Sequence, residues 1–141
     1  MAAYGSIWAS GNAVASSHAV ADTYYQITIF TDAGPSNGCN GDPSNDHISV
    51  PVNGVYLVNC AIAFSGQTGD TIGFKIHKNN GATAFDQLHI HRKLGSADVG
   101  ACSLAGLVEL DAGDTVELWS ESDDTNDITI QDVQLSVLLV S

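Results

Sequence analysis

The chain has 141 residues, 44% hydrophobic and 14% charged, and its sixteen acidic side chains against four Lys and Arg give a formal charge of -12. That length supports one packed domain and is short for two, and the charge excludes a general binder of nucleic acid or anionic membranes, which needs clustered Lys and Arg. No apolar run approaches the length of a membrane helix, and the opening MAAYGSIWASGNA has neither the basic start nor the apolar stretch of a secretion signal, so the sequence predicts a soluble chain without a signal peptide.

Residues 1–24 predict an arm with one or two strands, carrying Tyr4, Ile7 and Trp8, and residues 25–141 predict the main domain. Tyr25, Ile27 and Ile29 alternate with polar residues as a strand does. Thr31 to Asp46, rich in Gly, Pro, Asn and Asp, reads as a surface loop that exposes Cys39 to oxidation. A short strand follows at His47 to Val52, and Asn53-Gly54 turns the chain into a long one, Val55 to Ser65. Thr71 to Lys78 and Phe85 to Leu94 flank a reversal at Asn80-Gly81. Ala101 to Leu110, Thr115 to Glu121 and Ile128 to Val140 complete about eight to ten strands, and no segment carries a convincing helical period. The class is all-β, a sandwich of two antiparallel sheets.

Two of these strands are apolar on both faces, and such strands must be covered twice. Val55 to Ser65 carries Tyr56, Val58, Cys60, Ile62 and Phe64 on one side, and Val55, Leu57, Ala61 and Ala63 around Asn59 on the other. Ala101 to Leu110 sets Cys102, Leu104, Gly106, Val108 and Leu110 against Ala101, Ser103, Ala105 and Leu107. The last strand becomes two-sided only at Leu138 and Val140. Thr71 to Lys78, Phe85 to Leu94 and Thr115 to Glu121 instead put Lys75, His77, His89, His91, Lys93, Glu117 and Glu121 on one face, which predicts a solvated side. One sheet bare on its apolar outer face calls for a second subunit over Val55, Leu57, Ala61, Ala101, Ala105 and Leu107. The competing reading covers that face with the N-terminal arm.

The segments Gly54-Val55-Tyr56-Leu57-Val58 leading to Phe64, then Phe74-Lys75-Ile76-His77-Lys78-Asn79-Asn80-Gly81, then Leu107-Val108-Glu109-Leu110-Asp111-Ala112-Gly113-Asp114-Thr115-Val116-Glu117-Leu118, then the closing apolar strand, carry a family resemblance. From about Tyr25 onward the chain resembles the globular head of complement component 1, subcomponent q, in the tumour necrosis factor-like jelly-roll superfamily. The resemblance implies a jelly-roll β-sandwich of about ten strands that forms homotrimers, with the two-sided strands facing the axis. The 141 residues contain no collagen repeat. A stand-alone head of this kind looks like bacterial or bacteriophage relatives, which points to a non-enzymatic structural and receptor-binding module on a virion or cell surface.

All four basic residues and three of the five histidines fall between positions 75 and 93, a window of net charge +3 in a chain whose remainder carries -15. If the strands pair across Asn80-Gly81, Lys75, His77, His89, His91 and Lys93 share a face suited to an anionic ligand such as a sugar acid or phosphate; a plain solvated sheet is the alternative. His89-Ile90-His91 places two imidazoles on one side of a strand, a spacing that holds a transition metal when His77 or another subunit adds a third ligand. Asp111, Asp114, Asp123, Asp124 and Asp127 are hard oxygen donors in turns and offer calcium, which some members of the resembled family bind near the trimer top. The same His-x-His suggests a metal-dependent cupin-like enzyme, but Gly95 and Ser96 stand where that family has Glu, and nothing else in the chain argues for catalysis. Cys60 and Cys102 read as packed thiols or a cross-strand bridge. The binding-module reading requires no cofactor, and calcium or a transition metal is an option within it.

Overall fold

The computed structural model describes residues 2–141. Twelve strands form in chain order: β1 (Tyr4–Ala9), β2 (Ala15–Ser16), β3 (Tyr25–Gln26), β4 (Asp32–Ala33), β5 (Asn40–Asp42), β6 (His47–Ser49), β7 (Gly54–Ser65), β8 (Thr71–Lys78), β9 (Thr83–Lys93), β10 (Gly100–Leu110), β11 (Thr115–Ser122) and β12 (Ile128–Leu139). They make two antiparallel sheets. Sheet A runs β10-β7-β12-β1-β4 with β2 beside β12, and sheet B runs β5-β6-β11-β8-β9 with β3 beside β11. Strands that are neighbours in space are often distant in sequence, which makes the sandwich a jelly roll rather than a meander.

The inward sides of the two sheets close one core. Tyr56, Val58, Cys60, Ile62 and Phe64 of β7 face Ile72, Phe74 and Ile76 of β8, all buried. Phe64 and Phe74 meet edge to face at 4.9 Å between ring centroids and tie sheet to sheet. Each such side chain contributes about 1.5–3 kcal/mol by leaving water.

Two expectations about loops change. Thr31 to Asp46 is not one structureless loop, because β4 pairs with β1, β5 pairs with β6, and a 3-10 turn at Pro43–Asn45 closes the segment. Cys39 is therefore buried rather than exposed: the segment packs against β1, where Gly5 has no side chain, and a Cβ there would stand 2.9 Å from the Cβ of Cys39. Burial pushes the Cys39 thiol above its ordinary range, away from the reactive thiolate.

The N-terminal arm does not lie across sheet A. β1 extends that sheet by pairing along β12, from Tyr4 opposite Leu138 to Ala9 opposite Val133. Ile7 enters the core, while Tyr4 and Trp8 remain partly exposed on the outer side.

Candidate functional site

The outer face of sheet A is built in rows, because four strands pair in continuous register. One row reads Leu107–Leu57–Leu138–Tyr4. The next is polar, Ala105–Asn59–Ser136–Ser6, and the one beyond is Ser103–Ala61–Gln134–Trp8. Within the face Gln134 donates to Asn59 Oδ1 at 2.6 Å. Ala61, Ala101 and Ala105 are exposed, Leu107 is 56% exposed, and Val55 and Leu57 are half-buried. Alanines beside leucines leave shallow relief into which another backbone can settle closely. All six interface residues proposed from sequence thus share one open face.

The outer face of sheet B is closed by its own side chains around His77 and Glu117. β8 and β9 pair as expected, with Lys93 opposite Thr71, His91 opposite Gly73 and His89 opposite Lys75, before an irregularity near His77. The turn between them places Asn79, Asn80 and Gly81 in the left-handed region, which Asn and Gly tolerate best. β11 lies on the far side of β8, with Trp119 opposite Lys75, Glu121 opposite Gly73 and Glu117 opposite His77.

Two residues expected to be solvated there are buried. Glu117 is 1% exposed because its carboxylate accepts from Asn80 N, Gly81 N, Thr115 Oγ1 and Trp119 Nε1 at 2.7 to 3.2 Å. His77 is 7% exposed because its ring stacks on Trp119 at 4.8 Å and 13°, with Tyr24 over it at 5.5 Å. Burial, followed by the Lys75 charge, lowers its pKa and keeps the ring neutral. So His77 is a packing residue, and it is not part of the group that His89 and His91 form.

Tyr24 spans this face. Its hydroxyl hydrogen-bonds His89 Nε2, and Lys75 Nζ lies 5.7 Å from the ring centroid. Desolvation raises the phenol pKa, with the Glu121 carboxylate adding to it, so Tyr24 stays protonated. Lys75 is paired with Asp86 at 2.6 Å, which holds the Asp86 carboxyl below its ordinary value. Of the five residues expected to take an anion, then, His77 is sealed and Lys75 is paired, while His89, His91 and Lys93 are exposed.

His89 and His91 do share a face, with ring centroids 4.4 Å apart. Their third neighbour is Glu121 rather than His77: its Oε1 lies 3.2 Å from His91 Nε2. Among the described residues, this is the single group of three His, Cys, Asp or Glu side chains able to offer one ligand atom each within 4.8 Å of one another. Burial lowers the His89 pKa, helped by the charges of His91 and Lys75. Sequence reasoning treated Glu121 as a surface charge and passed over Tyr24, Gly73 and Trp119. Alternation did put Glu121 on the outer face, but its pairing opposite Gly73 joins strands that are not consecutive.

No protein-family model matches the sequence, and no curated protein matches it. Solved structures do. The chain superposes on the globular domain of zebrafish complement 1qA protein with a TM-score of 0.70 at 12% identity, over 99% of this chain and 98% of that one. Eiger TNF from S. frugiperda gives 0.67 at 18% identity over 100% and 92%, and murine APRIL gives 0.66 at 14% over 99% and 100%. The fold is the tumour necrosis factor-like, complement q-type jelly roll.

In this jelly roll the acidic turns and the thiols fall outside the three-residue cluster. Asp123 accepts from Thr71 N at 2.9 Å and Asp124 from Thr125 N at 2.7 Å, and these two and Asp127 do not gather into a ligand group. Asp111 and Asp114 close the β10–β11 turn, where Asp114 takes Lys78 at 3.1 Å and Asp111 N at 2.9 Å. Cys60 and Cys102 are free thiols: Leu104, not Cys102, stands opposite Cys60.

Proposed function

We propose that the protein is a non-enzymatic homotrimeric module that binds a ligand or receptor, with the outer face of sheet A against the three-fold axis and sheet B turned outward. The observation that carries this is the row Leu107–Leu57–Leu138–Tyr4, with Trp8 two rows away, on a face that none of the described residues covers. An apolar patch of this kind on a small acidic protein is normally an interface, and closed symmetry buries it completely. The fold shared with complement q and tumour necrosis factor-type heads supports a trimer over a dimer. The exposed positions of sheet B and the acidic turns are then left for a carbohydrate or protein partner, as in a virion or cell-surface head.

A metal-dependent enzyme is the less favoured reading, because catalysis draws on a concave site that excludes water, and His89 and His91 stand exposed on an outer sheet. Light scattering on a sizing column tests the proposal. A mass near three chains supports it, and a stable monomer at micromolar concentration removes it.

A further inference from the structure

The two strands that carry His89, His91 and Glu121 are not neighbours. β9 supplies both imidazoles, β11 supplies the carboxylate, and β8 runs between them. Side chains from strands two places apart meet only if the intervening strand leaves the space open. Here that residue is Gly73, opposite His91 on one side and Glu121 on the other. A Cβ on Gly73 would lie 2.9 Å from Glu121 Cγ, 3.0 Å from Glu121 Oε1 and 3.0 Å from His91 Cδ2. The glycine has no turn to make at this position, since it sits inside a regular strand, where glycine weakens pairing and leaves a gap. Its effect is to let an imidazole and a carboxylate come together over the backbone.

We propose that His89, His91 and Glu121 form a binding site for a divalent transition metal of the zinc class, clipping edge strand β9 to β11 across Gly73. The donor set decides the class: two imidazole nitrogens and one carboxylate oxygen suit zinc, copper or nickel, whereas calcium takes six to eight oxygens and magnesium an octahedral oxygen shell. Three ligands from one chain leave at least one coordination position, and the exposure of His89 and His91 turns it toward solvent. Water or an acidic or imidazole donor from a binding partner fits there. With the metal on the other ring nitrogen, His89 Nε2–H donates to the Tyr24 hydroxyl oxygen, which orients that ring as outer-shell acceptors orient metal-bound histidines. The positive charge of Lys75 near the site is offset in part by Asp86, which pairs with it at 2.6 Å. The site stands independently of the trimer, since every ligand belongs to the same chain.

The experiment is a calorimetric titration of the full-length, chelator-treated protein with zinc chloride, repeated with cobalt chloride while the visible spectrum is followed. The expected result is one equivalent of zinc per chain, and cobalt absorption bands of low-symmetry four- or five-coordination. His91→Ala and Glu121→Gln each abolish the cobalt bands. Gly73→Ala, which keeps all three ligands and only fills the gap, weakens zinc binding by at least about tenfold, the scale of an outer-shell disturbance. His47→Ala is the control: that histidine lies 3.8 Å from Asp42, away from the cluster, and its loss leaves the titration unchanged. Circular dichroism and the sizing profile confirm that each variant stays folded. The proposal is overturned by the absence of saturable binding to the folded wild type, or by stoichiometric binding that survives both His91→Ala and Glu121→Gln. Should the protein prove monomeric yet bind zinc as described, the metal site stands and the assembly proposal falls; a trimer without zinc binding gives the reverse.

Discussion

Leu107 and Glu117 both point outward from long antiparallel strands, one on each sheet, yet Leu107 is 56% exposed and Glu117 is 1% exposed. Polarity would put them the other way round. The difference is in what each sheet can reach. On sheet B, Tyr24 and Trp119 fold over the polar row, and the Asn79–Gly81 turn brings backbone donors to the Glu117 carboxylate, so the face completes itself. On sheet A the neighbouring positions are Ala, Ser and Leu, too short to cover one another, so a flat apolar face is left for another molecule. A polar outer face can thus be closed from within a chain, while a flat apolar one stays open in the single chain.

The largest expected effect breaks the open face. Leu107→Asp, at a position already exposed in the single chain, should convert the proposed trimer wholly to single chains because a buried unpaired charge is costly in an interface. The folded single chain should itself change stability by no more than about 0.5 kcal/mol. Light scattering together with a urea melt reads both quantities. Retention of the trimer would mean the axis lies elsewhere, and Leu57→Asp, one strand over, supplies the second reading.

The closed face should respond in the opposite sense. Glu117→Ala leaves four donors without an acceptor and should destabilise the fold by about 3 kcal/mol while leaving the oligomeric state intact. A loss under about 1 kcal/mol in the same urea melt would show that water replaces the carboxylate, and that sheet B is less sealed than its packing implies.

Asp46 belongs to neither face and sharpens the comparison by accounting for a separate pH dependence. Burial pushes its pKa up to about 6, although its carboxylate accepts from Phe30 N at 3.1 Å. A carboxyl whose folded pKa is raised favours the protonated fold. Its contribution is therefore fully present below about pH 4 and lost as pH rises to about 6, by on the order of 2 kcal/mol. Asp46→Asn keeps an acceptor, and Asn tolerates the left-handed backbone at this position. The variant should be more stable than wild type at pH 7 and equal to it near pH 4 in thermal melts; equal stability at both would place the pH dependence on other groups. The smallest effect is Tyr24→Ala. Removing this cover should cost about 1 kcal/mol and shift Trp119 emission to the red as water reaches the His77 stack. An unchanged emission would mean that Trp119 and the turn shield His77 without Tyr24.

Much of this was legible in the sequence, for a local reason. Side-chain direction alternates along any strand, so the two-sided character of Val55 to Ser65 and of Ala101 to Leu110 follows from residue order alone, as does the shared side of His89 and His91. Turn chemistry at Asn80-Gly81 located the reversal between β8 and β9 in the same way, whereas Asn53-Gly54 lies where the chain crosses from one sheet to the other. What residue order does not contain is which strand lies beside which. Pairing β11 with β8 sets Glu121 opposite Gly73 and brings it to His91, and pairing β4 with β1 turns an expected loop into buried structure around Cys39. Glu121 and Gly73 are 48 positions apart, and the pairs that join β1 to β4 are 24 and 26 apart. The sequence by itself determined the class of the fold and the polarity of each face. Only the tertiary structure decided which outer face would be sealed and where a third ligand would stand, because both depend on contacts between strands that the chain brings together only when the sandwich closes.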